Sequence, residues 1–279
     1  MRHRMMAVVA VLALLATACV SQGAGGSSTP TPTPTSSPTS TPTVTFEVWF
    51  NYGEWLFMTK RTVPATPRVA TAAVAALVAG PSAPERTAGV VTSIPEGTEL
   101  LGLSIAGGIA TVNLSRTYEA GGGSLSMFSR LAQLTYTLTQ FPTVRGVDLE
   151  LDGKAVRVFS GEGIILDRPM TRDSYRDRLP AILVESPQIG EQVSSPIRVS
   201  GTADVFEATV TISILDAQGR EIVRASTQAT CGTGCRGTYS KAVRYTVGQT
   251  QSGTVRVYEI SAKNGKPIKV VEIPVVLSA

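Results

Sequence analysis

The sequence predicts an α+β domain followed by an all-β sandwich, set behind a cleavable leader and a stalk. Three observations carry this reading. Residues 44–166 alternate paired strand patterns with helical stretches in the order ββα, ββα, ββ. Residues 182–279 hold short alternating segments separated by Gly, Pro, Asn and Asp, with no helical period between them. Residues 1–43 contain a charged and then apolar start, followed by a run dominated by Ser, Thr and Pro.

The leader spans residues 1–18. Arg2, His3 and Arg4 give a cationic start, Met5 to Leu15 an apolar run, and Ala16-Thr17-Ala18 a small-residue cleavage site before Cys19. The apolar run is shorter than the ~20 residues a membrane span needs. The segment resembles a bacterial lipobox, which implies that the Cys19 sulfur is acylated and that Cys19 becomes the mature N-terminus. Acyl chains contribute about 0.8 kcal/mol per buried CH₂, so two or three of them would hold a soluble head at the membrane. The stalk, residues 19–43, has no charge and no large apolar side chain beyond Val20, so little offsets the entropy of ordering it. Its Thr-Pro repeats favour an extended, semi-rigid spacer, and the composition also suits O-linked sugars.

In the first domain, TFEVWFNYGEWLFMTKRTV reads as two strands about a turn at Asn51-Tyr52-Gly53-Glu54, because aromatic and β-branched residues dominate both runs. RVATAAVAALVAG is an alanine-rich helix ended by Gly80-Pro81. GTELLGLSIAGGIATVNLS is a hairpin about Gly107-Gly108. Ser124 to Phe141 is helical, with Leu125, Phe128, Leu131, Leu134, Tyr136 and Leu138 on its apolar side, and stops at Pro142. VRGVDLELDGKAVRVFS is a last hairpin turning at Asp152-Gly153. Residues 167–181 break the pattern: four arginines and three aspartates lie in mixed order over Ile165–Pro180, which reads as a solvated connector. About seven short strands then follow, the count of an immunoglobulin-type sandwich. Cys231 and Cys235, in CGTGC between two strand patterns, are expected to form a local disulfide closing a tight turn in an oxidising compartment. A redox pair is the alternative, although its usual spacing is CxxC beside a helix.

The residues also carry a resemblance. The helix end Gly80-Pro81-Ser82, the turn Ile94-Pro95-Glu96-Gly97-Thr98, the strand Ala110-Thr111-Val112-Asn113-Leu114, the helix end Thr137 to Pro142 and the run Val147 to Gly153 resemble the GerMN domain of bacterial sporulation and germination lipoproteins. Glu185-Ser186-Pro187, Ser195-Pro196 with Val199 to Ala203, Phe206 to Val210, Asp216 to Gly219, Gly253-Thr254-Val255 and Ile273-Pro274-Val275 resemble the immunoglobulin-like domain of bacterial spore-germination proteins. The first resemblance implies an extracytoplasmic interaction domain related to ring-building modules, with no established chemistry.

Composition narrows the function. With the leader removed, Arg2 and Arg4 go and the formal charge of +4 becomes +2, which leaves no electrostatic footprint for nucleic acid. The sole histidine, His3, goes with them, so Ser-His-Asp and Cys-His catalysis are excluded and the commonest zinc ligand is missing. No catalytic residue, metal site or cofactor is expected. Asp148, Glu150 and Asp152 share a strand face and could ligate calcium, but a solvated face is the simpler reading. The aromatic cluster around Trp49, Tyr52 and Trp55 is the candidate ligand surface, able to stack on the sugar rings of a cell wall, with core packing as its plain alternative.

The leading expectation is a non-enzymatic, lipid-anchored envelope protein that tethers envelope proteins or wall polymer, its oligomeric state open. Two alternatives stand beside it: a glycan hydrolase using Glu47/Glu54 or Asp148/Glu150, and a sensor of wall-derived ligands at the aromatic cluster.

Overall fold

The computed structural model describes residues 41–279. The leader, Cys19 and the stalk up to residue 40 lie outside the described residues. Among the described residues no helix is long and apolar enough to cross a membrane.

The first hairpin is the spine of the α+β domain. β1 (Thr43–Tyr52) and β2 (Trp55–Pro64) pair antiparallel from Thr43↔Pro64 to Tyr52↔Trp55. The turn is the two residues Gly53-Glu54, with Gly53 at φ +59°, a conformation glycine adopts without a Cβ penalty. β1 is buried on both faces, which explains why FEVWFN is apolar almost without alternation. Its second edge is not left open. Side chains of α3 (Ser124–Leu138) and the turn after it act as a neighbouring strand: Thr137 and Gln133 bond the Trp49 N–H and C=O, and Gln140 bonds both main-chain groups of Glu47. This is why α3 carries Gln and Thr at positions with no exposure.

α1 (Val69–Ala79) and the short α2 (Ala83–Thr87) follow, and Gly80 at φ +81° ends α1. Ser82 and Glu85 form a capping box at α2. β3 (Val90–Val91) then pairs with the tip of β1. β4 (Leu100–Ala106) and β5 (Ile109–Leu114) turn at Gly107-Gly108, and β6 (Gly146–Leu151) lies parallel to β5, with α3 as the crossover a parallel pair requires. Asp152 and Gly153, both at positive φ, turn the chain into β7 (Lys154–Ala155).

Two expectations need correction here. The last hairpin was expected to run on through Phe159, but β7 is only Lys154–Ala155. The chain leaves the sheet so that Phe159 is buried against Tyr118, with ring centroids 5.6 Å apart, and then forms the small pair β8 (Val158–Phe159) and β9 (Ile164–Ile165). The second correction concerns residues 167–181, which are not a solvated connector. Met170 bridges to Val147 by two main-chain hydrogen bonds, and a 3₁₀ segment, Arg172–Arg178, buries Tyr175. The Arg172 guanidinium lies over Tyr136 and Trp49, 4.8 and 5.5 Å from the ring centroids. Two apolar anchors and one stacked arginine therefore strap this charged segment onto the first domain.

The second domain is an antiparallel sandwich. One sheet has the order β10 (Ile182–Ser186), β12 (Ile197–Ala203), β15 (Gly237–Val243). The other has the order β11 (Gln192–Val193), β17 (Pro267–Leu277), β16 (Gln251–Ile260), β13 (Thr209–Leu215), β14 (Glu221–Gln228), with β11 parallel to β17. Eight strands stand where about seven were expected, the extra one being the two-residue β11. Alternate residues Ile197, Val199, Val210, Ile212, Val255, Val257, Ile273 and Val275 fill the space between the sheets. Gly201 is required where β10 and β12 approach, since a Cβ there would meet the Leu183 carbonyl oxygen. Thr41–Ala279 forms one compact unit, so the two domains share a packed seam.

Candidate functional site

The seam is built from the outer edge of β2 and from β10. The Lys60 N–H donates to Gln188 Oε1 at 2.9 Å across it. The Glu185 carboxyl is held above its usual range by burial, with Glu47 adding to the effect and Lys60 and Arg172 opposing it. Arg236 closes the seam from the sandwich side: its guanidinium donates to the Pro180 carbonyl at 2.5 Å and to Thr202 Oγ1 at 3.1 Å. Arg236 directly follows the CGTGC turn, where Cys231 and Cys235 are joined as a disulfide with Cα atoms 5.7 Å apart. The same turn is tied down by the Gly234 N–H to Asp204 Oδ1 and by the Thr233 N–H to the Val205 carbonyl.

At one end the seam does not close. A cleft of about 180 Å³ lies between the tip of the first hairpin, the start of β10 and the kinked part of β17. Leu56, Phe57, Ile182, Leu183 and Val184 are its buried floor, while Tyr52 and Trp55 stand half-exposed at its lip, at 44% and 47%. These two aromatics are direct cross-strand partners on one sheet face. Lys269 is the one charged side chain in the lining, and its ammonium is 2.8 Å from the buried Glu259 carboxylate.

Trp49 does not join them. It is 3% exposed, its ring packs against Tyr136 at 4.8 Å, and its indole N–H donates to Glu47 Oε2. Its odd spacing from Tyr52 puts the two side chains on opposite faces of β1, which removes Trp49 from a shared ligand surface. The acidic pairs are likewise separated or open. Glu47 lies within β1 and Glu54 in its turn, about 17 Å apart at the rise of a strand, too far to flank one glycosidic bond. Asp148 and Glu150 share a shallow cleft of about 150 Å³ with Arg157 and Arg168 on the outer sheet face. Asp152 turns away to Arg116, so the three acids do not converge as a cation site.

Residues 180–184 and 269–271 were not singled out in the sequence. They reach the cleft through domain packing, and no local pattern links residue 55 to residue 270.

An α+β domain packed on an antiparallel sandwich defines a modular two-domain protein, and comparison with known proteins gives the modules their families. Residues 28–157 match the sporulation and spore germination family, and residues 181–266 match the immunoglobulin-like domain of bacterial spore germination. The chain carries a GerMN domain followed by that immunoglobulin-like domain, and neither is an enzyme family. Among solved structures it is similar to the first GerMN domain of the sporulation protein GerM from Bacillus subtilis, at 18% identity and TM-score 0.38, covering 47% of this chain and 98% of that one. The tandem GerMN domains of the same protein match at 13% identity and TM-score 0.41, covering 72% and 61%. A putative lipoprotein from Clostridium perfringens matches at 18% identity and TM-score 0.36, covering 49% and 93%. No curated protein matches the chain.

Proposed function

We propose that this protein is a lipid-anchored, extracytoplasmic tether whose two-domain head binds another envelope component and performs no chemistry of its own. The observation that carries the reading is the packed seam with an apolar cleft at its open end, lipped by Tyr52 and Trp55. Two domains from non-enzymatic families are joined into one surface by Gln188, Arg236 and the strap at Arg172–Arg178. The lipobox-like segment ending at Cys19 supports an anchor, and the Thr-Pro stalk supports a spacer between anchor and head. Anchoring raises the head's effective concentration at the membrane, so a modest contact suffices for stable engagement.

Fractionation tests the anchor. The native chain is expected in the detergent-soluble lipoprotein fraction, and Cys19→Ala in the soluble fraction or as an uncleaved precursor. Retention of the mature variant in the lipoprotein fraction would contradict the anchor. Chemical cross-linking of the full chain in its native envelope tests the tether, and recovery of no defined adduct would contradict it.

A further inference from the structure

We propose that the junction cleft is a socket for a single apolar side chain, aromatic or branched aliphatic, presented by a partner protein, and that it is not a glycan site. The inference rests on the tethering reading above and specifies its contact.

Size and lining chemistry decide the class of occupant. A cavity of roughly 150 Å³ lined by apolar side chains accommodates one benzene-sized ring, and this cleft measures about 180 Å³. A polysaccharide segment does not fit that space. Its hydroxyls would also meet Leu56, Phe57, Ile182 and Val184, which offer no side-chain hydrogen-bonding group, and an unpaired hydroxyl is costly in such surroundings. The single charge in the lining does not alter this, because Lys269 is already held by Glu259. An apolar side chain gives up no hydrogen bond on entering.

The rim favours a protein over a free small molecule. The cleft is the open end of an interface that already joins two domains, so an inserted side chain would complete that interface and touch both of them. Around the mouth, Tyr52, Trp55 and Val270 stay 44%, 47% and 44% exposed, forming an apolar ring about a buried floor. An anchor residue in a desolvated pocket, surrounded by contacts that exclude water, is the usual anatomy of a binding hot spot. The lip is also held in place. The Tyr52 ring packs against Phe57 at 6.2 Å and lies so close over Gly89 that a Cβ there would be 3.2 Å from it. A preformed socket of this kind does not have to be ordered when a partner arrives.

The test is amide NMR of the full chain titrated with N-acetylphenylalaninamide and, separately, with chitotriose, repeated on Trp55→Ala and Val270→Glu. Both substitutions are at exposed rim positions, and thermal melts establish that each variant is folded. The apolar probe is expected to shift the amides of Ala181 and Val184 with millimolar affinity, to bind at least tenfold more weakly to Val270→Glu, and to leave the sheet face around Asp148 unmoved. Chitotriose is expected to leave Ala181 and Val184 unshifted. Failure of the apolar probe to move these amides, equal binding to Val270→Glu, or shifts there with chitotriose would each overturn the proposal. The tethering reading fails separately, through the absence of any cross-linked partner. A partner whose cross-linking survives both substitutions would leave the tether intact and remove the socket.

Discussion

Trp49 and Trp55 lie six residues apart and have opposite roles. Trp49 packs against both Tyr136 and the Arg172 guanidinium with its N–H satisfied, so Trp49→Ala is expected to cost about 3–5 kcal/mol by urea unfolding. Trp55→Ala, at a half-exposed lip, is expected to cost less than about 1 kcal/mol in the same measurement. The sequence held part of this difference. Once 43–52 is a strand, the parity of 49 and 52 separates their faces, whereas the pairing of Tyr52 with Trp55 depends on a turn that falls one residue later than its composition suggests. Glu85 shows a second residue-scale effect that was not legible. Burial alone would raise its carboxyl, but hydrogen bonds from Arg61, Thr59 and the Ser82 N–H, together with the Arg61 charge, outweigh burial and bring it from 4.5 down to about 2. A depressed folded value means the stabilisation is fully present above the unfolded value of 4.5 and is lost as pH falls from there through about 2. Glu85→Gln should therefore lower stability near neutrality and flatten the acid limb of a stability–pH curve; an unchanged limb would show that the pair with Arg61 contributes nothing.

Among the elements, the strands and helices of both domains follow from period and turn chemistry: Gly80 stops α1, Gly107-Gly108 turns β4 into β5, and the sandwich strands fall between their Gly, Asn and Asp punctuation. What the sequence hid was the part whose composition contradicts its packing. The segment 167–181 reads as solvated because its charges outnumber its anchors, yet Met170 and Tyr175 are both buried. Tyr175→Ala is expected to cost roughly 3 kcal/mol and to increase hydrogen exchange across 170–178, whereas a true connector would tolerate it. The disulfide works at the same scale. Closing so short a loop is worth about 2 kcal/mol by chain entropy, and its neighbour Arg236 clamps the Pro180 carbonyl. Reduction, or Cys231→Ser with Cys235→Ser, should lower the melting temperature and raise exchange at 181–184 ahead of the sandwich core. Uniform exchange throughout the sandwich would show that the turn does not support the seam.

For the whole molecule, the two domains and their order were legible because each carries its own core pattern and its own family motifs. Their joint surface was not, because it forms from positions as distant in the chain as Leu56, Ile182 and Val270. In the proposed tether, this surface makes the contact with the partner. The most direct measurement is photo-cross-linking in intact cells from a benzoylphenylalanine placed at Trp55 of the full chain, with and without Val270→Glu. One defined protein adduct is expected, abolished by Val270→Glu, while a probe at the exposed Gln249, beyond the opposite end of the β16–β17 hairpin, gives none. No adduct at Trp55, or one indifferent to Val270→Glu, would contradict it.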